Sequence, residues 1–103
     1  MVEKRYVIPY SLDAQKRHHH ETQGGRVIRF MVQLEVFVQG TWKPVVRYDC
    51  AHGYAHCDQF NLRGEQRKED LQMSYAEALS FADDDLDDHW EEYRERFLRG
   101  EFP

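Results

Sequence analysis

The sequence has no long apolar run, and none of its segments approaches the roughly 20 apolar residues that a membrane-spanning helix needs. The first six residues, Met1 to Tyr6, also lack the apolar core of a secretion signal. We therefore expect a cytoplasmic protein that has no membrane partner.

Cysteine is scarce, and this scarcity excludes two further classes of protein. Cys50 and Cys57 lie seven positions apart, which is neither the spacing of a CxxC redox motif nor the dense framework of a secreted miniprotein. A glycine-rich phosphate loop and a nucleophile elbow are missing as well. We expect reduced thiols and assign no cofactor.

The 103 residues suffice for one domain with one modest core, and their charge is unevenly distributed. Residues 1–29 contain six Lys or Arg and three acidic residues, whereas residues 74–103 contain three and ten. A nucleic acid would have to bind a local basic surface, because the net charge is -5. The available basic residues are Lys4, Arg5, Lys16, Arg17, Arg26 and Arg29.

The chain divides into a basic, histidine-rich N-terminal arm over residues 1–25 and a single α+β domain over residues 26–103. Gly24-Gly25 marks the end of the arm. In residues 27–38 every even position is apolar, which predicts a long strand with one buried face. Gln39-Gly40 predicts a tight turn into a second strand over residues 42–48.

The remaining segments complete the predicted fold. A turn at residues 50–53 leads to a third strand over residues 54–62, and a turn at residues 63–65 leads to a short fourth strand. Ser74 and Glu77 form a capping box that begins a helix, which Gly100 ends. The predicted fold is thus a three- to four-stranded antiparallel meander packed against one long C-terminal helix.

The predicted helix carries a continuous apolar stripe, which we interpret as core. Its members are Tyr75, Leu79, Ala82, Leu86, Trp90, Tyr93 and Phe97. The aspartates between positions 83 and 88 fall outside this stripe and lack the glycine-bearing loop of a calcium site. We expect them to form a solvated face.

A dense polar segment over residues 47–58 provides the candidate site. With the first turn at Gln39-Gly40, Phe37 faces Trp42 and Phe30 faces Asp49. With the second turn centred on residues 51–52, Asp49 faces Tyr54 and Arg47 faces His56. Arg47, Asp49, His56 and Asp58 then share the face that carries Phe30, at the rim of the core.

The histidine-rich arm is predicted to reach the same end of the sheet. Pairing places residue 27 level with His52, so that His18, His19 and His20 can approach it across the glycines. We predict His52, His56, Arg47 and Asp49 as catalytic residues. The predicted substrate-binding residues are Lys16, Arg17, His18, His19, His20 and Arg29.

Three interpretations of this cluster remain open. It is a structural network in which Arg47 and Asp49 form an ion pair that His56 joins. Alternatively, a histidine acts as general acid and base while Arg47 stabilises a phosphate, as in metal-free phosphodiester cleavage. A third interpretation is a metal site built from His52, His56, Asp49 and Asp58, with or without the cysteines. We assign no metal ligand from the sequence.

Several motifs together resemble a family of small prokaryotic domains of unknown function over roughly residues 17–98. They are Arg17-His18-His19-His20, the segment FMVQLE at residues 30–35, WKPVVRYD at residues 42–49, AHGYAH at residues 51–56 with Asp58, and EAL at residues 77–79 leading to WEEYR at residues 90–94. More loosely, residues 47–56 are similar to the TumE-like toxins of toxin-antitoxin modules. That similarity implies a toxin that acts on RNA or the translation machinery and an antitoxin partner.

The sequence thus leads to two functional hypotheses. The first is a toxin-like protein that acts on RNA as a metal-independent ribonuclease, with RNA and an antitoxin as partners. The second is a non-catalytic protein-interaction module whose Arg/Asp/His cluster is structural. An open sheet edge favours a homodimer in either case.

Overall fold

One antiparallel sheet and one helix make up the computed structural model, which describes residues 1–103. In chain order the elements are β1 (Val2–Ser11), β2 (Ala14–Gln23), β3 (Arg26–Val38), β4 (Thr41–Asp49), β5 (His56–Phe60), β6 (Gln66–Asp70) and α1 (Tyr75–Leu98). Each strand pairs with the next along the chain, so the six strands form a meander. The helix packs across β2, β3 and β4.

The α+β class and the meander with a C-terminal helix are confirmed, but the prediction of three to four strands is wrong. Residues 1–25, predicted as an arm, contain β1 and β2, and β2 pairs with β3 along its full length. Strand β2 shows no apolar alternation because its sequence, AQKRHHHETQ, is polar on both faces. Period-two hydrophobicity, the main sequence signal of a strand, is therefore missing there.

The β3–β4 hairpin forms where the sequence predicts it. Gln39 and Gly40 both have positive φ angles, 55° and 81°, as a type I′ turn requires. The predicted pairing of Phe37 with Trp42 is confirmed, and their rings meet edge to face. This end of the hairpin is therefore in the expected register.

Helix α1 begins and ends at the predicted positions. The Ser74 hydroxyl accepts a hydrogen bond from the Glu77 N–H, and the Glu77 carboxylate accepts one from the Ser74 N–H. Gly100, with a φ of 82°, follows the last turn. The residues of α1 that are buried against the sheet are Ala78, Ala82, Leu86 and Phe97, which lie on or beside the predicted stripe.

A β-bulge changes the register of β4 halfway along the hairpin. Leu34 pairs with Val46 while Glu35 pairs with Pro44, so that Val45 is an extra residue in β4. Asp49 consequently faces Met31, and the prediction that it faces Phe30 is wrong. Because side chains alternate between faces, this shift of one residue moves the polar cluster to the face opposite Phe30.

The connection between β4 and β5 is longer than the predicted turn. Residues 50–55 lie outside both strands, and Asp49 pairs with His56 while Arg47 pairs with Asp58. The predicted pairs of Asp49 with Tyr54 and of Arg47 with His56 are thus wrong by two residues. A register shift of two residues leaves each side chain on the same face of the sheet, so Arg47, Asp49, His56 and Asp58 share one face, as predicted.

We call the sheet face that contacts α1 the helix face and the opposite one the open face. The helix face carries the main apolar core, including Phe30, Val32, Leu34, Val36, Val46 and Tyr48. The open face carries Gln33, Glu35 and the predicted polar cluster. No helix of the structure is both long enough and apolar enough to span a membrane.

Candidate functional site

The open face is organised in two rows of side chains that run across neighbouring strands. The register links His19, Met31, Asp49 and His56 in one row. It links Arg17, Gln33, Arg47 and Asp58 in the adjacent row. Strand pairing thus brings residues that are distant in sequence onto one charged surface, where cross-strand neighbours are close enough to interact.

His56 lies at the centre of the most compact polar cluster on this face. Its Nε2 atom is 2.6 Å from Asp49 Oδ1 and 3.4 Å from Asp58 Oδ2. The His56 and Asp58 side chains are 1% and 5% exposed, and Asp49 is 14% exposed. The cluster is therefore shielded from solvent except on the side of Asp49.

The loop between β4 and β5 covers His56. The rings of His52 and Tyr54 lie 5.5 Å and 5.3 Å from the His56 ring, measured between centroids. The His56 Nδ1 atom is 3.2 Å from the carbonyl oxygen of Tyr54. Because that oxygen can only accept a hydrogen bond, Nδ1 carries a proton and donates it.

Arg47 is held by different neighbours from those predicted. Its Nε atom donates to Gln33 Oε1 at 2.6 Å, and its guanidinium lies 5.4 Å from the centre of the Phe60 ring. Arg47 forms no ion pair with Asp49. The structure therefore joins Asp49 to His56 and Asp58 but places the Arg47 guanidinium in a separate network.

Glu35 is the centre of that second network and was not predicted as a site residue. Its carboxylate accepts hydrogen bonds from Arg17, Gln15 and Gln33. Burial alone would raise the pKa of Glu35, but the three donors outweigh it and hold the pKa below its usual value. The only sequence signal for Glu35 was its odd-numbered position in the predicted strand over residues 27–38, whose even-numbered positions are all apolar.

The predicted substrate-binding residues are divided between the two faces, because neighbouring residues of a strand point in opposite directions. Arg17, His19 and Arg29 lie on the open face. Lys16, His18 and His20 lie on the helix face. The structure therefore does not bring these six residues to one surface, and the histidines of β2 do not converge on His52.

Two of the helix-face members, Lys16 and His18, are bound to acidic residues of α1. Lys16 Nζ lies 2.9 Å from Asp87 and 3.1 Å from Asp83, and its side chain is 3% exposed. Burial lowers the pKa of Lys16, but the two carboxylates outweigh this effect and the net shift is upward. His18 Nδ1 lies 3.2 Å from Asp83, and its Nε2 is 2.6 Å from His20 Nδ1.

A third acidic residue of α1, Asp85, binds two tyrosines. Asp85 accepts hydrogen bonds from Tyr48 at 2.5 Å and from Tyr93 at 2.8 Å. Burial and the Asp85 carboxylate raise the pKa of Tyr93 well above its usual range. The expectation that the aspartates form a solvated face is therefore wrong for Asp83 and Asp85, whose side chains are 28% and 12% exposed, while Asp87 binds Lys16 but is 52% exposed. The spacing of four between Asp83 and Asp87 was a signal.

The cysteines take no part in the cluster. Both thiols are free, and Cys57 lies on the helix face, opposite His56. Burial raises the pKa of Cys57 to about 12, so its thiol stays protonated and is a poor nucleophile.

Two cavities border the open face near the charged rows. One of about 390 Å³ is lined by His19, Arg29, Met31 and Asp49 among others. One of about 330 Å³ lies beside Arg5, Arg17 and His19. The largest cavity, about 680 Å³, lies near the N-terminus of α1 and contains none of the predicted site residues.

The fold and site define a small α+β domain with a charged, hydrogen-bonded sheet face. The chain belongs to the family described as a domain of unknown function, DUF7718, whose model matches residues 1–103. This confirms the resemblance to a family of unknown function but does not support the similarity to TumE-like toxins. No curated protein and no solved structure matches the chain.

Proposed function

We propose that the chain is a protein-interaction module that pairs through the free edge of β1 with β1 of a second copy. The observation that carries this proposal is the exposure of β1, in which nine of ten residues are exposed. They include Val2, Tyr6, Val7 and Ile8, which are 40% to 56% exposed. A long, partly apolar edge strand with unpaired N–H and C=O groups is a template for strand addition.

The other edge of the sheet supports the proposal by contrast. Strand β6 has five residues, all exposed, and its sequence is QRKED. Short strands rich in charge resist edge-to-edge pairing. The two edges of the same sheet therefore differ in the property that decides association, and β1 is the edge suited to it.

Charge complementarity favours a second copy of this chain as the occupant. In an antiparallel β1–β1 pair centred on Lys4, Glu3 lies opposite Arg5 twice and Val2 lies opposite Tyr6 twice. If the pair were instead centred on Arg5 or on Glu3, that residue would lie opposite its own copy and repel it. Lys4 meets its own copy at the symmetry axis and is the single like-charge pair of this register, against two opposite-charge pairs. Opposite charges on facing positions stabilise a strand pair.

The polar cluster has a structural role in this proposal. His56 and Glu35 are buried and bound to Asp49 and Arg17 on adjacent strands, and Asp58 lies 3.4 Å from His56 on the same strand. Such networks hold strands in register. The catalytic groups of an acid/base enzyme must instead reach a substrate.

Light scattering and analytical ultracentrifugation across a concentration series test the proposal. We expect a reversible dimer. Glu3→Arg should weaken it about tenfold, because two attractive pairs become repulsive. The double variant Glu3→Arg with Arg5→Glu should restore it, since the pairs re-form with exchanged signs.

The matched control is Gln66→Lys on β6, which should leave association unchanged. A monomer at every concentration would contradict the proposed dimer. Equal weakening by the β1 and β6 variants would also contradict it, because the interface would then not be specific to β1.

A second function, toxin-like action on RNA, is favoured by one observation. Arg5, Arg17 and Arg29 all lie on the open face, and their side chains are 68%, 46% and 68% exposed. Each is near a glutamate, yet a guanidinium has five N–H donors, so donors remain for phosphate oxygens. Cleavage would then use His52 and His56 as acid and base, with Arg47 and Asp49 assisting, after the loop over His56 moves.

Fluorescence anisotropy with labelled single-stranded RNA tests this second function. Arg17→Gln and Arg29→Gln should each lower the slope of log affinity against log salt by about 0.7. Arg96→Gln, on the helix, is the control. RNA cleavage and growth arrest on expression should be lost in His56→Ala and Arg47→Ala while the fold persists. A wild type that neither binds RNA nor slows growth would contradict this hypothesis.

A further inference from the structure

We propose that Asp49, His56 and Asp58 form a binding site for a divalent transition-metal ion, with Zn²⁺ and Mn²⁺ as suitable ions. One ligand atom from each residue lies within 4.8 Å of the other two. The site is independent of the β1 edge, since all three residues lie on β4 and β5. Its test therefore does not depend on whether the chain dimerises.

The hydrogen bond at Nδ1 orients His56 as a ligand. Nδ1 lies 3.2 Å from the Tyr54 carbonyl oxygen, so Nε2 is the nitrogen that faces Asp49 and Asp58. Metal-binding histidines commonly donate their second N–H to a carbonyl or carboxylate in this way, which fixes the tautomer and the ring orientation. A divalent ion that binds here would displace the proton shared between Nε2 and Asp49 Oδ1, which are 2.6 Å apart.

Asp58 provides a separate observation that a cation belongs here. Its side chain is 5% exposed and its Oδ1 atom is buried without a hydrogen-bond partner. The nearest cation, Lys68 Nζ, is 4.0 Å from that atom. A buried carboxylate oxygen without a donor is costly, and a divalent ion would satisfy this atom and offset the charge of both carboxylates.

The distances require only a small adjustment for a metal. Zinc binds histidine nitrogen and carboxylate oxygen at about 2.0–2.2 Å, so tetrahedral neighbours are about 3.4 Å apart. The His56–Asp58 separation of 3.4 Å already fits, while the His56–Asp49 separation of 2.6 Å must widen by less than about 1 Å. Asp49 borders the cavity of about 390 Å³, which provides access and space for a further ligand such as water.

The donor set decides the class of ion. One imidazole nitrogen and two carboxylate oxygens suit zinc, manganese and iron(II) better than calcium, which takes six to eight oxygen ligands. Neither cysteine belongs to the cluster, so no thiolate favours copper(I).

A comparable cluster on β1 and β2 is a weaker candidate. Glu3, His19 and Glu21 also have ligand atoms close together. However, Arg5 binds Glu3, and Arg29 Nη1 lies 3.5 Å from Glu21 Oε2. Both carboxylates already have a cationic partner, so a metal would have to displace one or both.

Titration of chelator-treated protein, purified without a polyhistidine tag, tests the site with Zn²⁺ by calorimetry. We expect one ion per chain, and the melting temperature should rise by roughly 10 °C at a hundredfold excess over Kd. Asp58→Asn should weaken binding at least about 100-fold, because a ligand is lost. Glu21→Gln, in the weaker cluster, should leave Kd unchanged.

Mn²⁺ titration followed by NMR locates the ion in the wild type even if Asp58→Asn fails to fold. Paramagnetic broadening should centre on His56 and its strand neighbours. Broadening centred on His19, or on the aspartates of α1, would overturn the proposal. So would unchanged Zn²⁺ affinity in folded Asp58→Asn, or no binding by the wild type.

Discussion

The helix face and the open face of the sheet are ordered by different interactions, and β3 shows both. Its residues Phe30 and Leu34 point to the helix face, where they are at most 1% exposed and contact apolar neighbours. Gln33 and Glu35 point to the open face, where they are 7% and 6% exposed and bonded to polar neighbours. These side chains are buried to a similar extent on both faces, but they are apolar on the helix face and polar on the open face.

The two faces therefore have different roles, one in the stability of the fold and the other in the placement of charged groups. Each large apolar side chain that is fully buried contributes about 1.5–3 kcal/mol, whereas a net intramolecular hydrogen bond contributes about 1 kcal/mol. The helix face should therefore supply most of the free energy of folding. The open face instead fixes which charged groups meet, and both the proposed metal site and the arginines lie there.

The largest expected effect comes from truncating neighbouring residues of β3. Phe30→Ala should lower the free energy of unfolding by about 3–5 kcal/mol, because it opens a cavity under α1. Met31→Ala, on the partly exposed open face, should lower it by about 1 kcal/mol. Urea denaturation followed by circular dichroism measures both. Equal losses would show that the faces do not differ in this way.

A smaller effect is expected where the helix face is polar. Tyr48→Phe and Tyr93→Phe should each cost about 1–2 kcal/mol, because each removes a hydrogen bond to the Asp85 carboxylate. The double variant should cost more than the sum, since the carboxylate then loses both hydroxyl donors. Tyr54→Phe, at an exposed ring, is the control for the substitution itself. Strict additivity in urea unfolding would contradict this coupling.

The smallest effect concerns acid sensitivity on the open face. Glu35 has a lowered pKa in the folded state, so its contribution is present above the unfolded pKa of about 4.3 and is lost as pH falls through the folded value. The wild type should lose stability below about pH 5, and Glu35→Gln should lose less stability than the wild type between pH 7 and pH 3. Urea midpoints at both pH values measure the difference.

Further acid sensitivity should come from Asp13 and Asp87, whose pKa values are also lowered. Arg94 lowers the pKa of Asp13. Burial raises the pKa of Asp87, but hydrogen bonds from Tyr10 and Lys16 lower it by more. Parallel pH profiles of the wild type and Glu35→Gln would show that the Glu35 network does not affect stability.

Local patterns predicted the hairpin and the helix because their determinants are close in sequence. The even apolar positions of β3, the Gln39-Gly40 turn and the Ser74–Glu77 capping box each act over a few residues. Strand β2 escaped prediction because its helix-face side chains, such as Lys16 and His18, are polar and are satisfied by aspartates about 65 to 71 positions away. No window along the chain contains both partners.

The sequence predicted which residues of the polar segment share a face, but not which face of the sheet they lie on. Arg47, Asp49, His56 and Asp58 share a face as expected, since the connection before β5 altered the register by two residues. The bulge at Val45 altered the β3–β4 register by one residue and so moved that face away from the helix. An error of one residue in register changes the face of every side chain that follows.

The sequence by itself thus determined the fold class, the helix limits and the residues of the polar segment, because hydrophobic periodicity and capping are local properties. Only the tertiary structure decided that residues 2–23 join the sheet, that Lys16 and His18 bind α1, and that Asp49, His56 and Asp58 meet on the open face. These outcomes depend on strand register and on charge pairs between distant segments, which no local pattern encodes.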